Sequence, residues 1–246
     1  MKTYEITSLT NERIKTWTKL HQTKYRRETG QFLIEGQHLI EEAQQAGLIE
    51  TLIGVKGVPH RFQCETMVEV SPEIMRKLCV TESNSNFVAV CSNWLPPKTW
   101  GERVLLLDTL QDPGNVGTII RTAYSFGFDS VVVSENSVDL TNEKVIRASQ
   151  GAIFHIPVLQ VDLGETIQNL KSRGISVIGT GLQGANDLHS LPLSNTVAFV
   201  LGNEGQGIRP EILALCDTVV KIEMNTFESL NVAVAAGILC YRFRKP

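Results

Sequence analysis

The chain has 246 residues, 42% of them hydrophobic and 20% charged, with a formal net charge of −3 at neutral pH. This is the make-up of one large or two modest folded domains, and it excludes a disordered or low-complexity polypeptide. No apolar run nears the roughly 20 residues of a membrane span, and MKTYEITSLTNERIK lacks the apolar core of a signal peptide, so no membrane contact and a cytoplasmic location are expected.

In chain order, Asn11 is read as the cap of one helix, NERIKTWTKLHQTKYRRE, with Ile14, Trp17 and Leu20 or His21 on one face. Arg13 to Arg27 within it holds six basic residues and no acid, a pattern that offers a basic face to a phosphate backbone. FLIEG reads as a buried strand, HLIEEAQQAG as a helix ending at Gly47, and TLIGV as a strand. SPEIMRKLC then reads as a capped helix and NFVAVCS as a strand. These elements make a small α/β domain over residues 1–95. The double proline and glycine of WLPPKTWGER mark a linker, placed at 96–102.

From 103 to 246 the alternation is plainer. RVLLLD, SVVVS, IPVLQV, ISVIGTG, TVAFVLG and TVVKIEM read as strands. NVGTIIRTAYSFG, TNEKVIRASQGA, LGETIQNLKSRG, RPEILALC and SLNVAVAAGILCYRFR read as helices. Apolar strands alternating with helices predict a parallel sheet covered on both faces, with ligands at the carboxyl ends of the strands. The five cysteines form no CxxC pair and the five histidines no HExxH, so no metal site and no disulfide framework are expected.

Three stretches of this second part can carry chemistry. The first is DPGNVGTIIRTA. Asn115 is read as the cap of its helix, and Arg121 is a lone charge on an otherwise apolar helix, where it needs a partner or a role. The second is LGNEGQG, residues 201 to 207, a glycine turn that contains Glu204. Its glycines have neither Rossmann nor P-loop spacing. The third is KIEMNTFESLNVAVAAGILCY, in which Ser229 is read as the cap of the last helix and Asn231 lies in its first turn. Taken singly, each also reads as an ordinary turn or cap. His155 is read as structural, set among apolar neighbours.

Together the three stretches resemble the SpoU (TrmH-type) branch of the knotted SPOUT RNA methyltransferases. The family's DPxNxGxIxRTAxxFG is matched from Asp112 to Gly127, its LGNExxGL from Leu201 to Ile208, and its third motif, which ends SLNVxVAxxI, from Ile222 to Ile238. Residues 14–36 resemble the substrate-binding extension of the ribosomal-RNA members, so the likeness covers nearly the whole chain. The third motif departs at Glu223, Thr226 and Ala233, where the family usually has proline, glycine and serine.

The resemblance implies an α/β fold whose C-terminal parallel-sheet domain carries a deep trefoil knot, preceded by a small α/β RNA-binding domain. It implies S-adenosylmethionine held by Thr180, Gly181, Leu201, Gly202, Gly205, Ile222, Met224 and Leu230. The catalytic set implied is Arg121, Asn115, Glu204, Ser229 and Asn231. Lys15, Lys19, Lys24, Arg26 and Arg27 are the candidate phosphate contacts. A homodimer acting on RNA, most readily ribosomal RNA, is implied, by methylation of a ribose 2′-hydroxyl. Transfer RNA as the substrate, and a non-catalytic RNA-binding or ribosome-assembly factor of the same fold, are the alternatives.

Overall fold

The computed structural model describes residues 2–80, 85–92, 94, 100–182, 184–225 and 230–245. They form two compact units: Met1–Leu95 with Thr141–Phe154, and Pro96–Leu140 with His155–Pro246.

In the first unit, strand β1 (Lys2–Ile6) leads to helices α1 (Glu12–Lys19) and α2 (Thr23–Thr29). Strand β2 (Phe32–Glu35), helix α3 (Gln37–Gln45), strands β3 (Ile49–Val55) and β4 (Thr66–Val70), helix α4 (Pro72–Leu78) and strand β5 (Phe87–Cys91) follow. The sheet order is β1-β4-β3-β5-β2, with β5 antiparallel to both of its neighbours. Alternate strand residues face opposite sides. Ile53, Val68, Val88 and Val90 pack against Ile14, Trp17, Ile74 and Leu78 of α1 and α4. Leu52, Met67, Ala89 and Cys91 pack against Leu39, Ile40 and Ala43 of α3.

The expected single helix from Asn11 to Glu28 is two. Asn11 caps α1 through a bond from the Arg13 N–H at 2.9 Å, as expected. The helix then stops at Leu20, which is fully buried, and its carbonyl accepts a buried hydrogen bond of 2.8 Å from Nη1 of Arg26. A side chain of the second helix thus satisfies the end of the first, which removes any need for the ladder to continue.

The two units part at Leu95 and Pro96, but one later segment groups differently from its place in the sequence. Residues 141–154 were assigned to the second domain but belong to the first unit. They hold helix α6 (Glu143–Ser149) and a single 3₁₀ turn, Ala152–Phe154. Ile146 enters the α3-side core, Phe154 stacks on Phe32 at 6.4 Å, and Glu143 bonds Nδ1 of His21. Helical periodicity shows that such a segment is amphipathic but not which core its apolar face joins.

The second unit comprises β6 (Arg103–Leu107), α5 (Pro113–Ser125), β7 (Ser130–Val133), β8 (Val158–Gln160), α7 (Leu163–Ser172), β9 (Ser176–Thr180), β10 (Asn186–Asp187), β11 (Val197–Leu201), α8 (Pro210–Leu213), β12 (Thr218–Lys221) and α9 (Val232–Arg242). Its seven strands are all parallel, in the order β10-β12-β9-β11-β6-β7-β8. The two middle strands, β11 and β6, are buried at every residue, as expected of strands covered on both faces. Val104, Leu106, Ala198 and Val200 meet Leu163, Ile167 and Leu170 of α7 and Ile212 of α8. On the other face α5 and α9 lie against each other, and Phe199 meets Phe243 edge-on at 4.9 Å. Among the described residues no helix is long and apolar enough to cross a membrane, and no group of three His, Cys, Asp or Glu residues could hold a metal.

Candidate active site

The carboxyl ends of β9, β11 and β12 open into one cleft of about 210 Å³. Thr180 and Gly181, Leu201 and Gly202, and Ile222 and Met224 line it from the three strand ends, and Leu230 closes one side. Its floor is apolar and includes Val232, Ala235 and Leu239 of α9. Seven of the eight residues assigned to the cofactor therefore share one cavity; Gly205 does not line it. Apolar walls with loop backbone at the rim fit a nucleoside bearing a short polar chain.

The glycine turn is built for close approach. A Cβ on Gly202 would fall 2.2 Å from the Gly207 carbonyl carbon and from the Ile208 nitrogen, so only glycine fits there. Asn203 and Gly207 exchange backbone bonds of 3.0 and 2.9 Å. The Asn203 side-chain oxygen accepts from the N–H groups of Gly205 and Gln206, and its amide donates to the Thr109 carbonyl. Below the turn, Asp108 is fully buried and accepts both the backbone N–H and the Nε of Arg209 at 2.8 Å. Asn203, Asp108 and Arg209 were not singled out in the sequence. Their role depends on a contact between segments about 100 residues apart, which no local pattern reveals.

Beside the cleft, three expected residues meet. Asn231 donates its amide to Oδ1 of Asn115 at 3.0 Å, and Asn115 donates its own amide to Glu204 at 2.6 Å. Two capping assignments change to make this possible. The cap of α5 is Asp112, which accepts the Asn115 N–H at 2.7 Å, so the Asn115 side chain is free of the helix. The cap of α9 is Asn231, whose Oδ1 accepts the N–H groups of Ala233 and Val234, leaving its amide to donate outward. Ser229, read from sequence as that cap, lies outside the described residues, as do Thr226 and Phe227.

Arg121 lies about two turns inside α5. Six residues beyond Asn115, it stands about 9 Å further along the axis and about 120° around it. It is exposed, and among the described residues its guanidinium has no hydrogen-bond or ion-pair partner. His155 is exposed rather than set in an apolar core, and it stacks on Tyr124 at 5.7 Å.

The departure at Glu223 has a local use. Its carboxylate accepts the backbone N–H of His189 at 3.2 Å and faces the His189 ring at 3.0 Å. Its own backbone N–H, followed by these His189 groups, holds the carboxyl down to about 2.

On the first unit, Lys15, Lys19, Lys24 and Arg27 are exposed. Lys19 and Lys24 flank the Tyr25 ring at 5.4 and 5.9 Å. Arg26 is the exception among the candidate phosphate contacts. It is 4% exposed and bonds the Leu20 carbonyl and the Thr23 hydroxyl, so it holds the α1–α2 turn and does not face solvent.

The chain is similar to known proteins along nearly its whole length. The SpoU rRNA Methylase family model matches residues 102–241, and that of the MRM3-like substrate binding domain matches residues 11–89. The 23S rRNA (guanosine(2553)-2′-O)-methyltransferase RlmP of Bacillus subtilis (strain 168) is 38% identical over 98% of this chain and 99% of its own. The crystal structure of an rRNA methyltransferase from Sinorhizobium meliloti superposes with a TM-score of 0.87 at 27% identity, covering 98% of this chain and 97% of that one. An AdoMet-bound rRNA methyltransferase structure from the same organism gives 0.86 at 27% identity over the same shares. A family model matching more than half of its length and a full-length relative at 38% identity show that the chain belongs to the SpoU rRNA methylase family.

Proposed function

We propose that this enzyme methylates a ribose 2′-hydroxyl of ribosomal RNA, with S-adenosylmethionine bound in the cleft at the ends of β9, β11 and β12. The observation that carries the reading is the bonded series Asn231–Asn115–Glu204 at the rim of that cleft. It links all three family motifs where a sugar–phosphate acceptor would meet the cofactor. Bound S-adenosylmethionine supplies a sulfonium-activated methyl group. Everything else falls to the chain. Thr180, Gly181, Leu201, Gly202, Ile222, Met224 and Leu230 hold the cofactor, and Gly205 shapes the turn from outside the cleft.

The acceptor hydroxyl is a weak acid, so the site must remove its proton or stabilise the oxygen as charge develops. Arg121 is assigned to the acceptor phosphate and the developing alkoxide, since a guanidinium stays protonated near neutrality. Asn115 orients the acceptor, Glu204 fixes the rim, and Ser229 contacts the substrate. Lys15, Lys19, Lys24 and Arg27 take phosphates of the RNA.

The protein acts as a homodimer in the cytoplasm. Val234, Ile238 and Tyr241 put an apolar stripe on the outer side of α9, with Val234 52% and Tyr241 59% exposed. A second copy is the partner this stripe suits. The strand order and the return of α9 onto α5 support the trefoil threading of the knotted fold. The test is a map of ribose methylation across the RNA of a deletion strain. One ribosomal-RNA position should lose its methyl group and regain it when the purified enzyme and S-adenosylmethionine are added. A change confined to transfer RNA would redirect the substrate, and no change at all would leave a non-catalytic factor.

A further inference from the structure

A second cavity, of about 410 Å³, opens at the amino ends of β6 and β11. Arg103, Arg242 and Arg244 line it with Ser194 and Asn195, and among the described residues no carboxylate does. Arg103 begins β6, in the middle of the sheet, and is 4% exposed. Its Nη2 donates to the Asn195 side-chain oxygen, and its Nε is buried without a partner. Arg242 donates to the carbonyls of His189 and Leu191 at 3.1 and 3.0 Å, and its Nε is also buried and unbonded. Arg244 donates to the Tyr241 carbonyl at 2.6 Å and lies 4.3 Å above the Tyr241 ring.

Among the described residues, every hydrogen-bond partner of these three guanidinium groups is neutral. Burying a guanidinium without a counter-charge is costly, and two of the three buried, unbonded side-chain atoms among the described residues belong to this one pocket. An anion entering it would offset that cost. Forked guanidinium donors match the oxygens of a phosphate.

We infer that this pocket is a subsite for a backbone phosphate of the RNA substrate, an assignment that rests on the RNA-methyltransferase reading above. It lies at the opposite end of five-residue strands from the cofactor cleft, about 16 Å away. A phosphate held there is remote from the reacting ribose, so the subsite contributes to RNA affinity and not to the transfer step.

The test uses the full chain, a ribosomal-RNA fragment that the wild type binds, and two variants, Arg244→Ala and Arg103→Met. Each should weaken RNA binding about tenfold and flatten the dependence of log K on log salt by about one. S-adenosylmethionine affinity and kcat at saturating RNA should not change. Arg103→Met also controls for folding, because removing an unpaired buried charge should leave the thermal midpoint unchanged or raise it. Unchanged RNA affinity and salt slope in both variants overturns the subsite. So does a result in which inorganic phosphate at millimolar concentration raises the wild-type midpoint but neither variant loses RNA affinity, since the pocket then takes the free ion. A fall in oligomeric mass with RNA affinity unchanged also overturns it, because a second copy would then fill the pocket. Wild-type methyl transfer in the same assay reports separately on the reading beneath. If the variants lose RNA affinity while the wild type transfers nothing, the subsite stands and the methyltransferase reading falls.

Discussion

Asn115 depends on a residue three positions away. Because Asp112 takes the cap of α5, the Asn115 carboxamide is left to accept from Asn231 and donate to Glu204. Only a group with both donor and acceptor can do this. Asn115→Asp would set two carboxylates at hydrogen-bonding distance and raise the pKa of one. Transfer should fall about 10²-fold or more and decline further as pH rises, with cofactor affinity little changed; wild-type activity in this variant would remove the network from the mechanism. Arg121→Ala should cut transfer about 10²- to 10³-fold while leaving the thermal midpoint in place, since the side chain is exposed and holds nothing among the described residues. Calorimetry with S-adenosylmethionine and a melting curve check the second half of that expectation. At this scale the motif residues were legible because their spacing is specific. The capping roles were not, because Asp112 and Asn115, or Ser229 and Asn231, are equally good caps on propensity alone.

The elements of the second unit followed from apolar runs alternating with amphipathic helices. The first unit was harder, and Arg26 shows why. In a run of six basic residues, a guanidinium turned back onto the Leu20 carbonyl reads the same as one turned outward. Arg26→Ala should therefore cost about 1–3 kcal/mol of stability and leave the salt slope of RNA binding nearly unchanged. Lys19→Ala and Arg27→Ala should do the reverse, each flattening the slope by about one with little effect on melting. Equal salt effects from all three would return Arg26 to the RNA face. The inserted helix α6 carries its own signal. The Glu143 hydrogen bond raises the pKa of His21, against an opposing effect of burial, with the Lys77 carbonyl and Glu35 adding to the rise. A raised folded-state pKa gives stability that is complete below the unfolded value near 6.5 and is lost as pH rises through the folded value. Melting of the first unit should thus soften as pH rises above about 6.5, and His21→Gln should flatten that dependence. A profile as steep in the variant as in the wild type would contradict the assignment.

For the whole molecule, a cleft and an amide network lie at the carboxyl edge of a parallel sheet, where the proposed function puts the cofactor, and the unit proposed to face RNA is encoded before it. Light scattering at micromolar concentration should give a dimer mass, and Ile238→Asp in the exposed stripe of α9 should lower it toward the monomer; a monomeric wild type would end the dimer reading. The sequence carried this plan because three motifs fix which strand ends face one another. It did not carry the company kept by residues 141–154 or by the arginines at the far edge, which depends on tertiary packing. The central claim is that the methyl group goes to a ribose oxygen, and the most direct measurement removes that oxygen. Once the target nucleotide is mapped, an RNA carrying a single 2′-deoxy substitution there should bind with nearly unchanged affinity and accept no methyl group from S-adenosylmethionine. Undiminished methyl incorporation into that RNA would contradict the account and move the chemistry to a base.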